Sequence, residues 1–167
     1  MKTNIVLIGM PGVGKSTVGV ILAKIMGLRF IDSDLSIQER EGRLLKDIIA
    51  EDGVNRFIEI EGEVLSNLNA ERSVIATGGS AVYSGAAMET LKETATVVYL
   101  KLSLESLKDR LSDIKGRGVV LRDGQTLDDL YKERIPLYEK YADITVTEDG
   151  LTPEETVEAI QNQLFSK

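Results

Sequence analysis

Gly9, Gly14, Lys15 and Ser16 satisfy the spacing G-x-x-x-x-G-K-[ST], which is built to hold the phosphates of a nucleoside triphosphate together with magnesium. Glycines at these intervals let backbone N–H groups converge on an anion, and the dipole of a helix starting near Gly14 adds positive potential at the same place. Lys15 is expected to reach the β- and γ-phosphates and the Ser16 hydroxyl to ligate Mg2+, with Gly12, Val13 and Thr17 completing the cradle. The chain has no histidine and no cysteine, so a general base has to come from Asp, Glu, Lys or Tyr, and thiolate chemistry is excluded. Asp32 and Asp34 are the carboxylates nearest the loop at a strand end: Asp34 could accept the proton of an attacking hydroxyl, and Asp32 could hold a water on the magnesium. The plainer use of either one alone is to cap the helix that starts near Leu35.

These side chains need a scaffold that brings separate strand ends together. The apolar run Asn4 to Ile8 leads into the glycine loop, and Val18, Ile21, Leu22 and Ile25 follow at helical spacing, which reads as strand, loop, helix. Leu28 to Ile31, Ser73 to Thr77, Thr96 to Leu102 and Asp143 to Thr147 read as four further strands, with Asp32 and Asp34 expected on one side of an extended segment. Residues 35 to 68 carry a helical pattern interrupted at Gly42 and Gly53. Ser84, Ser103 and Thr126 are expected N-caps, and Thr152 with Glu155 forms a capping box behind which Pro153 opens the last helix. Strands alternating with helices imply an α/β fold of three layers, with a central five-stranded parallel sheet covered on both faces.

At 167 residues the chain has room for one compact domain. Its 43% hydrophobic and 28% charged residues are ordinary for a soluble globular protein, and no apolar run is long enough to cross a bilayer. A cytoplasmic location is expected. A formal charge of −7 argues against a nucleic-acid partner, which would call for a basic stripe. There is no N-K-x-D to specify guanine, and the chain is too short for most ATP-driven motors, so a small-molecule kinase acting as a monomer is the reading the loop supports.

The wider pattern resembles the shikimate kinases, a branch of the nucleoside-monophosphate-kinase-like fold. The residues that carry the resemblance are GMPGVGKSTVG at 9–19, the D-S-D at Asp32 to Asp34, F-x-x-x-E at Phe57 to Glu61, TGGSAV at 77–82, GRGVVL at 116–121 and R-I-P-L-Y-x-x-x-A at Arg134 to Ala142. The resemblance implies ATP as co-substrate and a cyclohexene acid with several hydroxyls as acceptor. It implies that Asp34, Gly78, Gly79 and Arg134 contact that acceptor, with Arg134 pairing its carboxylate as a planar bidentate donor. Arg117 looks like a lid arginine that closes over the phosphates, Arg110 is expected against the adenine, and Pro153 at its edge. The corresponding sub-regions are a core of residues 1–32, 72–111 and 125–167, a substrate-binding insertion at 33–70 and a lid at 112–124.

Two positions depart from the family's pattern. Where the family has F-R-x-x-E, position 58 is Ile58, and Arg56 lies two residues away, about 200° around a helix. Ser80 stands where the third glycine of a triplet is usual, placing a hydroxyl where backbone would approach the ligand. The expected activity is phosphoryl transfer from ATP to shikimate in aromatic amino-acid biosynthesis. The alternatives are a related kinase for another small hydroxylated acceptor and a nucleotide-binding regulatory module.

Overall fold

The computed structural model describes residues 1–111 and 120–166. Five strands, β1 (Asn4–Ile8), β2 (Arg29–Asp32), β3 (Ser73–Ala76), β4 (Ala95–Lys101) and β5 (Ile144–Thr147), form one sheet in the order β2-β3-β1-β4-β5, and every pair is parallel. β1 is central, flanked by β3 and β4, and all five of its residues are buried. That is why it reads as an unbroken apolar run and not as an alternating one: in a parallel sheet covered on both faces, both sides of a central strand face the core.

The order also fixes where a ligand can sit. β1 is followed by α1 (Lys15–Met26), whose chain returns through β2 on one side, whereas the connection from β3 through α5 (Gly85–Thr94) crosses to β4 on the other. The strand order therefore reverses around β1, and its carboxyl end opens into the crevice where such sheets bind ligands.

Three helices, α2 (Ser33–Glu41), α3 (Leu45–Asp52) and α4 (Val54–Ser66), stand between β2 and β3. The breaks fall at Gly42 and Gly53, both with positive φ, as the sequence leads one to expect. These helices share a small core of their own in which Ile37, Ile48, Phe57, Ile60 and Val64 meet Val120. Leu65 of α4 belongs to the main core, so the insertion is also packed against the body of the fold.

α6 (Leu104–Arg110), α7 (Leu127–Tyr141) and α8 (Pro153–Phe165) complete the described helices. Ser84, Ser103, Thr126 and Thr152 each accept a hydrogen bond from the backbone of the first turn they precede, and Thr126 and Thr152 both form reciprocal capping boxes. One expectation is corrected. Asp32 and Asp34 do not share one side of an extended segment: α2 already begins at Ser33, so Asp32 is its N-cap and Asp34 lies in its first turn. The helical turn, and not the strand pleat, brings the two carboxylates together. Among the described residues no helix is long and apolar enough to cross a membrane.

Candidate active site

The loop between β1 and α1 is shaped by backbone that a side chain could not follow. Gly9 lies at φ 149°, and a Cβ there would come within 2.6 Å of the Leu100 carbonyl oxygen on β4; Gly14, at φ 88°, caps α1 from the left-handed region. Lys15, the first residue of α1, folds back over the loop and donates to the carbonyls of Gly9 at 2.7 Å and Met10 at 2.9 Å. Burial lowers its amine to about 8, against the opposing pull of the Asp34 carboxylate. The cation is thus already aimed at the centre of the loop, held by weak neutral acceptors that a phosphate would outcompete.

Ser16 is one residue further along α1, and its hydroxyl donates to Oδ2 of Asp32 at 3.2 Å. The other oxygen of Asp32 accepts the Asp34 backbone N–H at 3.0 Å. Asp32 therefore caps α2 and faces Ser16 at the same time. These hard oxygen donors fit Mg2+, which takes one or two protein ligands and draws the rest from water and phosphate. Among the described residues no cluster of three or more acidic side chains forms a metal cage made of protein alone. Asp34 faces inward from the same turn. Desolvation, with the neighbouring Asp32 charge, raises its carboxyl to about 6, while Lys15 pulls the other way. A carboxylate at that value remains ionised near neutrality and is a better proton acceptor than an ordinary Asp.

Beyond Asp34 a cleft of about 430 Å³ is lined by the phosphate loop, Phe57, Gly78, Gly79, Ser80 and Arg134 among others. Its floor is the turn after β3. A methyl at Gly78 would lie 2.8 Å from Asp34 Oδ1 and 2.9 Å from Glu61 Oε2, and one at Gly79 would lie 2.7 Å from Arg134 Nη1, so both positions need a residue without a side chain. Arg134, on α7, is only 1% exposed yet forms no ion pair with a carboxylate among the described residues. Its Nε donates to Tyr83 Oη at 3.2 Å, its Nη2 donates to the Val120 carbonyl at 3.1 Å, and its guanidinium lies 5.2 Å from the Tyr83 ring centre. One turn on, Tyr138 donates to the Gly79 carbonyl at 2.6 Å. A buried guanidinium without a counter-charge is costly, and its free edge at the cleft is suited to an anionic ligand group.

A second cleft of about 240 Å³ opens on the other side of the phosphate loop, lined by Val13, Gly14, Thr17, Arg110, Glu148 and Pro153 among others. Arg110, at the end of α6, donates to the Gly12 carbonyl at 3.3 Å. Arg110 and Pro153, far apart in sequence, thus line one space. Arg117 lies outside the described residues, as does most of the proposed lid.

Three polar residues at the site were given no role from sequence: Glu61 and Glu148, which line the two clefts, and Tyr138, which bonds to the floor of the first. Tyr138 sits one helical turn after Arg134 within R-I-P-L-Y, a spacing that marks a shared face. Glu61 closes F-x-x-x-E; its residue is 1% exposed, and burial raises its carboxyl to about 7, opposed first by the hydrogen bond from Ser80. Glu148, on the turn after β5, is 3% exposed and likewise raised to about 7 by burial, with the Arg110 charge opposing. Nothing in the sequence around Glu148 sets it apart from a solvated acid. Ser80 departs from expectation in a different way: its hydroxyl does not stand in ligand space but donates to Glu61 Oε1 at 2.6 Å. Arg56 points away from the cleft and pairs with Glu59 at 3.1 Å and Glu63 at 3.4 Å, so it does not replace a cation at position 58.

A parallel sheet with a phosphate loop at its switch point, a half-buried carboxylate beside the loop and a buried arginine across an open cleft define a P-loop phosphotransferase for a small hydroxylated acceptor. The family model described as shikimate kinase matches residues 11–165. The shikimate kinase of Thermodesulfovibrio yellowstonii is 37% identical over 160 residues, covering 94% of this chain and 92% of its own length. That of Clostridium botulinum is 37% identical over 169 residues, with 99% of each chain covered. A solved structure of the Acinetobacter baumannii shikimate kinase in complex with shikimate superposes with a TM-score of 0.91 at 33% identity, covering 99% of this chain and 94% of the other. The chain belongs to the shikimate kinase family.

Proposed function

We propose that this chain transfers the γ-phosphoryl group of ATP to a hydroxyl of shikimate, giving shikimate 3-phosphate and ADP within aromatic amino-acid biosynthesis. The observation that carries this reading is the buried Arg134, without a carboxylate partner among the described residues, across the same cleft from Asp34 and Lys15. An acid with hydroxyls on its ring meets all three: its carboxylate pairs with Arg134, one hydroxyl lies against Asp34, and the phosphate to be transferred lies against Lys15.

In the step itself the acceptor oxygen forms a bond to the γ-phosphorus, the bond from that phosphorus to the β-bridging oxygen breaks, and the hydroxyl proton passes to Asp34 Oδ1. Lys15 exchanges the Gly9 and Met10 carbonyls for phosphate oxygens and stabilises charge on the leaving diphosphate. Ser16 and Asp32 would hold Mg2+, which when bound neutralises the β- and γ-phosphates. The backbone of Gly12 to Thr17 cradles the phosphates, Arg110 and Pro153 flank the adenine, and Gly78 and Gly79 let the acceptor ring approach the floor of the cleft. Arg117 closes over the phosphates from the lid. In this reading the chain is a single kinase domain with core 1–32, 72–111 and 125–167, substrate-binding insertion 33–70 and lid 112–124, working in the cytoplasm as a monomer.

ADP release coupled to a second enzyme, measured with shikimate and then with a panel of other small hydroxy acids, tests the assignment. Turnover with shikimate at a KM below that of every panel member is the expected result. No turnover with shikimate at millimolar concentration, beside clear turnover with another acid, would reassign the acceptor. Nucleotide binding with no transfer to any of them would turn the chain into a regulatory module.

A further inference from the structure

Ser80 is one of the two positions that depart from the family's pattern, and in the acceptor cleft it meets Glu61. Glu61 is buried on α4, and among the described residues it has no cation within ion-pair distance; its closest partner is the Ser80 hydroxyl at 2.6 Å, on the turn after β3. Its other oxygen, Oε2, has no hydrogen-bond partner and sits over Gly78 beside Asp34 Oδ1. Ile58 lies three residues before Glu61 on the same helix, the spacing at which a side chain reaches its neighbour one turn on. An isoleucine there offers that carboxyl nothing, whereas an arginine would offer it a cation.

We propose that Ser80 and Glu61 form a clasp that fastens the Gly78–Gly79 floor of the acceptor cleft to α4. Without its donor, Glu61 would be a buried carboxyl with both oxygens unmet, which the chain avoids by turning away or drawing in water. Either movement releases the turn that carries Gly78 and Gly79 from α4. The same turn is also fastened by Tyr138 on the Gly79 carbonyl and by Thr77 on the Leu7 carbonyl. The clasp ties the helical insertion to the main sheet directly at the acceptor site. It also leaves Arg134 as the one arginine lining the described cleft, so the site suits a hydroxylated acid with a single anionic group.

The kinetic part of the test rests on shikimate being the acceptor. Ser80→Ala and Ser80→Gly are expected to raise the KM for shikimate about ten-fold, the order of one lost hydrogen bond to a charged group, while the KM for ATP stays within about two-fold. Adding Ile58→Arg to Ser80→Gly is expected to restore the melting temperature lost in Ser80→Gly, read without substrate, because the new cation reaches Glu61 one turn on. An unchanged shikimate KM in Ser80→Ala, an equal rise in the ATP KM, or no recovery of the melting temperature with Ile58→Arg would each overturn the proposal. Thermal melting of Ser80→Ala, Glu61→Ala and the double variant reads the clasp without any substrate. The double variant should melt no lower than the worse single one, and additive losses would refute the pairing. If the parent chain does not phosphorylate shikimate, the function falls and the melting cycle still decides the clasp.

Discussion

Lys15 is the residue on which the chemistry depends most directly. Its Nζ already lies over the loop carbonyls, so Lys15→Ala removes charge from the phosphates without disturbing a packed core, and kcat is expected to fall about 10²- to 10³-fold with the fold intact by circular dichroism. In the proposed step Asp34 acts in its ionised form, and its carboxyl is raised to about 6. As pH falls through that value the base is protonated, so kcat/KM for the acceptor should decline on the acid side with a midpoint near 6 in a pH–rate profile. Asp34→Asn should remove that limb along with most of the activity, about 10²- to 10⁴-fold. The motif residues were legible because their spacing is tied to a backbone shape: only a glycine-rich turn between strand and helix can present Lys15 and Ser16 together. Glu61 and Glu148 were not, because a glutamate's burial depends on what other elements pack over it, and neither i,i+4 spacing nor composition carries that information.

Among the elements, α7 carries the one arginine that lines the acceptor cleft among the described residues. Arg134 and Tyr138 stand one turn apart on its buried face, and Tyr138 also stacks on Tyr99 of β4 with ring centres 5.1 Å apart. Tyr138→Phe keeps the ring and removes only the hydroxyl, leaving the Gly79 carbonyl without that donor. It is expected to cost about 1–2 kcal/mol in urea denaturation and to raise the shikimate KM while sparing that for ATP. Thr152→Ala, beside Pro153 at the second cleft, should cost about 1 kcal/mol in urea denaturation through its lost cap, with no change in the KM for shikimate. The elements were largely readable from sequence, since apolar runs, helical spacing and capping residues are local signals. The start of α2 was the exception. Two aspartates after a strand look alike on paper, and the hydrogen bond from the Asp34 amide to Asp32 starts the helix one residue beyond the first.

At the scale of the whole molecule, three carboxyls are carried at a cost. Burial raises Asp34 from 3.8 to about 6, and Glu61 and Glu148 from 4.5 to about 7. Each binds its proton more tightly folded than unfolded, so its contribution to stability is full below the unfolded value and is lost as pH rises through the folded one. The ligand-free chain should therefore lose stability between about pH 5 and about pH 7, a trend opposite to that of a salt-bridged carboxylate, measured as a falling urea midpoint. Glu61→Gln with Glu148→Gln should flatten the slope. The two clefts lie on either side of Lys15, opening at the same edge of the sheet. A single compound in which a phosphate chain joins adenosine to the acceptor acid could occupy both at once. Once one end is seated the other is presented at an effective concentration in the millimolar range, so the linked compound is expected to bind about 10²- to 10⁴-fold more tightly than either half by titration calorimetry. The phosphate loop between the clefts would then act as the ruler that sets the length of the tether.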